Sequence, residues 1–243
     1  MLKTERMDRV RAALRAQGLT QMIVCDPKSV WYLTGVAVEP YERLLALYLP
    51  TEGDPVLFLN RLFNVPEPPC RTVWHTDTDK PVAQIAEVVD AGRPLGIDKE
   101  WPAKFLIPLM ETHPGMQVVL SSDCVDDCRA SKDAEEQTLM REASRINDAV
   151  NEAAKHYIKA GMTEREVAEF IDAQFRAHGC EGPSFTTIVS FGANAADPHH
   201  EPDDTMLKEG DCVLFDMGCV KSRYCSDMTR TWFCGQPTEK QAA

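Results

Sequence analysis

The stretch Cys212-Val213-Leu214-Phe215-Asp216-Met217 constrains this chain more than any other. It reads as a strand that is apolar at nearly every position. A carboxylate inside such a strand is costly to bury unless a partner or a cation meets it. The run Tyr224-Cys225-Ser226-Asp227-Met228-Thr229-Arg230-Thr231 is also strand-like and carries a second acid. A turn centred between Lys221 and Ser222 would set Asp216 directly opposite Asp227, with Cβ atoms ~4.5–5.5 Å apart on one face. Two carboxylates so placed repel, the more so away from water. A divalent cation between them removes the conflict, and two ions ~3.5–4 Å apart suit the pair as terminal and bridging ligands. Oxygen donors favour manganese, and an added imidazole also admits cobalt, zinc or iron. The competing arrangement pairs Asp227 with Arg230 and leaves Asp216 facing solvent at a strand end.

Upstream lies Pro198-His199-His200, in a polar loop spanning 197–205. A neutral imidazole there can move a proton or ligate a metal, although adjacent histidines in a polar loop are as readily plain solvated side chains. Gly192-Ala193-Asn194 would shape a binding loop without carrying chemistry itself. The nine cysteines form no CxxC pair, and the N-terminus has no apolar signal segment. They read as reduced thiols of a cytoplasmic protein, small and buried.

Around these residues the pattern is mixed. Helices are expected over 6–16, 82–90 and 102–112. Strands are expected over 22–25, 44–50, 55–59, 73–74, 95–98 and 116–120, with Val30–Leu33 resuming the first of them toward Thr34-Gly35. That alternation makes residues 1–125 an α/β domain. A second domain, 126–243, opens with a long helix from Asp133 whose buried stripe runs Leu139, Ala143, Ile146, Ala149, Val150, Ala153. A second helix follows, with a Thr163–Glu166 capping box, and strands take over from Phe185.

Composition narrows the function classes. With Asp+Glu at 38 against Lys+Arg at 26, the formal charge is −12, which repels a phosphate backbone and argues against nucleic-acid binding. Aromatics at 7% offer no stacking platform for single strands. No apolar run is long enough to span a membrane.

The motifs together resemble a known family. Ser190-Phe191-Gly192-Ala193-Asn194, Pro198-His199-His200, Gly210-Asp211, Leu214-Phe215-Asp216-Met217-Gly218 and Ser226-Asp227-Met228-Thr229-Arg230-Thr231 are similar to the M24 metallopeptidases. The branch is that of Xaa-Pro dipeptidase (prolidase) and aminopeptidase P, whose carboxylate spacing matches the one here. Arg9, Asp26-Pro27 and Tyr32-Leu33-Thr34-Gly35 resemble the creatinase/prolidase N-terminal domain. Arg129-Ala130-Ser131-Lys132 resembles the approach to the catalytic domain. The resemblance implies a creatinase/prolidase-type N-terminal α/β domain followed by the first half of an α+β pita-bread domain.

It also implies roles. Asp216 and Asp227 match the first two of five metal ligands, His199 the substrate-side catalytic histidine, and Thr229 the support of the second carboxylate. The implied reaction is hydrolysis of the peptide bond before proline, with two divalent ions (manganese, cobalt or zinc) and a Glu as general base. A proline-containing peptide would be the substrate and a homodimer the assembly. The family draws its other ligands, one His and two Glu, from later strands that have no counterpart before Ala243. The expectation is therefore an N-terminal fragment, inactive alone, with an open sheet edge and an exposed apolar helix face. A creatinase-like amidinohydrolase and a non-catalytic binding module with the same fold stand as alternatives.

Overall fold

The computed structural model describes residues 2–239 and divides into two compact units, 1–131 and 132–243. The division falls a few residues beyond the expected 125/126. The polar stretch after residue 121 is a helix that packs within the first unit.

The first unit comprises α1 (Thr4–Ala16), β1 (Gln21–Val24), α2 (Pro27–Thr34), β2 (Ala46–Pro50), β3 (Val56–Asn60), β4 (Arg71–His75), α3 (Pro81–Ala86), β5 (Leu95–Ile97), α4 (Ala103–Thr112), β6 (Val118–Leu120) and α5 (Asp123–Ala130). Its six strands run in the order β4-β3-β2-β1-β5-β6. The expected hairpin is present, as β2 and β3 pair antiparallel, while β1, β5 and β6 run parallel. Helices cover both faces of the sheet. Met22, Val24, Leu47, Leu49, Leu57 and Leu59 pack with residues of α1, α2 and α5. Ile23, Ala46, Phe58, Leu95 and Ile97 pack with residues of α3 and α4. That two-sided burial is why these strands read as near-continuous apolar runs rather than alternating ones.

One element here overturns the sequence reading. Residues 27–34 are helix, not strand. Asp26 caps it by accepting from the Ser29 N–H at 2.9 Å, Pro27 sits at its first position, and Gly35 (φ +74) closes it in the left-handed conformation. Cap, proline and glycine together outweigh the short apolar run Val30–Leu33, which either element accommodates.

The second unit comprises α6 (Ala134–Tyr157), α7 (Glu164–Ala177), β7 (Gly182–Pro183), β8 (Ile188–Phe191), a 3-10 turn (Gly192–Ala196), β9 (Cys212–Met217), β10 (Cys219–Lys221), β11 (Tyr224–Cys225) and β12 (Met228–Phe233). Both long helices start in a capping box, on Asp133 with Glu136 and on Thr163 with Glu166. The strands form two three-stranded sheets, β12-β9-β8 and β11-β10-β7. The helices cover one face of the β8–β9–β12 sheet; the other is partly exposed, with Thr229 and Thr231 exposed on it and Ser190 buried. Val189, Phe191, Val213, Phe215 and Met217 join Ala143, Val150, Val167, Ile171 and Phe175 in a single core.

The buried stripe of α6 also differs from the expected one. It runs Ala143, Asn147, Val150, Asn151, Ala154, and Ala149 is exposed. Two asparagines displaced the apolar positions because one of them works inside the core. The Asn147 amide donates to the Met217 carbonyl at 3.0 Å, at the end of β9. The expected open edge is present, since β12 pairs with β9 alone among the described residues. On α6 and α7 no exposed apolar face is seen among the described residues, whereas on α4 Ile107 and Met110, three residues apart, are exposed. Tyr157, the one large apolar side chain of α6 and α7 that is exposed, stacks on Phe170 at 3.9 Å.

All nine cysteines are free thiols. Burial, helped by neighbouring acids, pushes the Cys124 thiol up to about 11, and burial beside Cys219 pushes Cys180 up to about 12. Burial next to Asp98 raises Cys25 further still. These are packing groups that stay protonated, not metal-binding thiolates. Among the described residues no helix is long and apolar enough to cross a membrane.

Candidate active site

The alternation along β9 decides where Asp216 points. Val213, Phe215 and Met217 are fully buried against the helices, so Leu214 and Asp216 belong to the opposite face and are half-buried. Asp216 lies opposite Ile188 on β8 and opposite Thr229 on β12. Its Oδ1 is buried and has no hydrogen-bond partner. An unmet buried acceptor costs about 1–3 kcal/mol, and more when it is charged. Ser190 lies on the same face of the neighbouring strand, opposite Leu214, and its Oγ is likewise buried and unpartnered.

The structure corrects the register expected for the acid pair. Asp216 faces Thr229, not Asp227. The hairpin turn is Ser222-Arg223, with φ of +50° and +68°, and Lys221 pairs with Tyr224. A two-residue turn with both central residues left-handed matches the twist of the flanking strands. Moving the turn centre by one residue moves each facing partner by two. Asp227 therefore stays on Asp216's face by register but lies diagonally across, ~7–8 Å away between Cα atoms.

Asp227 is exposed, in the gap between β11 and β12, and the ladder continues past it through the Ser226 N–H to the Cys219 carbonyl at 2.9 Å. It does not pair with Arg230, which lies opposite Phe215 on the other face and donates to the Thr229 carbonyl. Gly218 sits where the chain passes from one sheet to the other. A Cβ there would overlap the Ser226 carbonyl oxygen and Ser184 Oγ, so only glycine fits.

The two histidines separate. His199 is exposed, and its backbone N–H donates to Asp197 Oδ1 at 3.0 Å. Its ring makes no hydrogen bond among the described residues. His200 turns inward, its Nε2 lying 2.6 Å from Oε2 of the fully buried Glu164.

Glu164, His200 and Asp203 form the one His/Cys/Asp/Glu cluster among the described residues compact enough for a metal ion, with ligand atoms within 4.8 Å. The donors around it speak against that use. Glu164 Oε1 accepts from the Phe191 N–H at 2.7 Å and from Asn194 Nδ2 at 3.0 Å, and Oε2 accepts from the Asp203 N–H at 3.2 Å besides meeting His200. Asp203 Oδ1 takes the Thr205 N–H at 2.7 Å, and the Thr205 hydroxyl and N–H hold its carboxyl below the usual range. This carboxylate set is saturated by protein donors, whereas the Asp216 carboxylate meets no donor among the described residues.

Sequence reasoning missed Glu164. It is the first residue of a helix whose capping box uses its neighbours Thr163 and Glu166, and nothing in that pattern marks a buried acid. Asn194 was noticed, as a loop former. It reaches Glu164, His200 and Thr205 within 3.0–3.2 Å.

The first unit has a cavity of about 570 Å³ beyond the C-terminal ends of β1 and β5. Its buried acids are engaged internally. Asp98 accepts from the Cys25, Asp26 and Glu100 N–H groups, and Asp26 from Ser29 and Arg129.

One unit is a three-layer α/β domain, and the other a helix-backed sheet that carries an acid with a buried, unpartnered oxygen. Two family models match the chain, the creatinase/prolidase N-terminal domain over residues 6–131 and metallopeptidase family M24 over residues 138–243. An uncharacterized peptidase of Staphylococcus aureus is 34% identical over 228 residues, and one of Staphylococcus epidermidis 30% over 235.

Among solved structures, a prolidase from Thermococcus sibiricus superposes over 100% of this chain and 68% of its own, with TM-score 0.88 and 29% identity. Dipeptidase PepE from Mycobacterium ulcerans matches over 98% and 66%, with TM-score 0.87 and 30% identity. The chain belongs to metallopeptidase family M24, with a creatinase/prolidase N-terminal domain preceding part of an M24 domain. Its alignment covers 89% of this chain and 62% of the S. aureus relative, so it spans about three-fifths of that protein's length.

Proposed function

We propose that this chain belongs to a metal-dependent peptidase that hydrolyses the bond before proline in short peptides. The observation that carries the reading is the buried, unpartnered Oδ1 of Asp216 on the partly exposed face of β9, with Asp227 diagonal to it. Oxygen donors without protein partners fit a hard divalent cation, and Asp216 and Asp227 are the residues that would hold it. Two such ions, manganese, cobalt or zinc, would polarise the scissile carbonyl and lower the pKa of bound water.

The chain's own side chains supply the rest. Thr229, directly across from Asp216, can orient the carboxylate beside it. His199 holds an uncommitted imidazole out to solvent, able to donate to or accept from a peptide. Prolidases and a dipeptidase among the solved relatives support a peptide substrate. A homodimer in the cytoplasm completes the reading.

The test has two parts. Manganese binding to the longest product of the gene, followed by calorimetry, should be lost in Asp216→Asn. Hydrolysis of an alanyl-proline dipeptide by the longest product of the gene should fall by more than ~10³-fold in Asp227→Ala, the range expected when a metal site is dismantled. Retained hydrolysis in that variant overturns the reading.

A further inference from the structure

The Glu164 carboxylate gathers donors from a single stretch of chain. Phe191 ends β8, Asn194 lies in the 3-10 turn, and His200 and Asp203 lie on the far side of the same loop. Residues beyond that loop have anchors of their own. Gly161 and Leu207 exchange backbone bonds with each other's neighbourhood, and the Glu164 N–H donates to the Thr205 carbonyl at 3.1 Å. The turn at 197–200 is braced locally, by the His199 N–H on Asp197 Oδ1 and the His200 N–H on the Asp197 carbonyl. The Asp197 N–H also meets the Asn194 carbonyl, and the side-chain tie from that braced turn to the buried acid is the His200 ring on Glu164.

His199, one peptide bond away, has an exposed ring with no hydrogen bond of its own among the described residues. Its position is thus inherited from its neighbour. Filling this space with packing alone would need an apolar side chain; a fully buried carboxylate meeting four donors fixes orientation as well.

We infer that Glu164 is a positioning residue, acting through His200 and Asn194 to hold the loop that presents His199. The inference rests on the substrate-side role given to His199 above. It gives no metal to the Glu164–His200–Asp203 cluster.

Two readouts test it. In this chain, Glu164→Gln should raise hydrogen–deuterium exchange across residues 192–203 by about tenfold or more while β9 and the body of α7 keep their protection. His200→Ala, which leaves the other three donors in place, should do the same more weakly and guards against a variant that does not fold. Unchanged exchange in both overturns the clamp.

In the metal-loaded longest gene product, Glu164→Gln should lower kcat on alanyl-proline by about tenfold to a hundredfold, the size of loss a misplaced catalytic group produces. In a His199→Ala background the same change should cost less than about twofold. An equal cost in both backgrounds overturns action through His199. If His199→Ala alone keeps the parent rate, the catalytic role proposed for His199 fails, and the exchange experiment still decides the clamp.

Discussion

The two main sheets of this protein treat acidic side chains in opposite ways. In the six-stranded sheet both faces are packed under helices, and Asp98, just past β5, has three backbone N–H groups on its carboxylate. In the three-stranded sheet one face packs on α6 and α7 and the other is partly exposed. There Asp216 is half-buried with no donor. A polar group enclosed on both sides must be satisfied when the chain folds. One on a half-open sheet can be left for a ligand. On the function proposed above, the contrast separates an acid that holds the fold from an acid kept for a cation. Glu164, saturated by four donors within the second unit, falls on the structural side of that line.

The contrast can be broken by substitution. Phe58→Ala, at a fully buried centre of the first sheet, should cost about 3–5 kcal/mol in urea unfolding. Asp98→Ala should cost about 1–3 kcal/mol, because it strands the buried Cys25 N–H and two part-buried N–H groups. Asp216→Asn, measured without metal, should stay within about 0.5 kcal/mol of the parent or exceed it, since no protein donor loses its acceptor. Thr231→Val, exposed on β12 two residues from Thr229, should shift stability by less than about 0.5 kcal/mol. A loss for Asp216→Asn as large as that for Asp98→Ala would erase the distinction between the sheets.

Much of this was legible in the residues. The strands of the first unit and the hairpin of β2 with β3 follow from apolar runs and turn signals; their order in the sheet does not. Both capping boxes stand in the sequence, and the acid in β9 marks itself by interrupting an apolar strand. What escaped has physical causes. Val30–Leu33 suits either a strand or a helix until the cap at Asp26 and the glycine at 35 are weighed together. The turn at Ser222-Arg223 uses left-handed backbone without glycine or asparagine, so its register carried no usual signature. Asn147 and Asn151 are polar residues in a core position, and Glu164 is a buried acid at a helix start. Asn147 and Glu164 are set by contacts far away in sequence, which local patterns do not encode.

The central claim is that Asp216 is unsatisfied by the protein because a cation satisfies it. The most direct measurement is the melting temperature of the longest product of the gene and of its Asp216→Asn variant, each with and without manganese. The account predicts equal or higher melting for the variant without metal, and a metal-induced rise in the parent that the variant lacks. A variant that melts well below the parent without metal, and rises as much with it, would contradict the account.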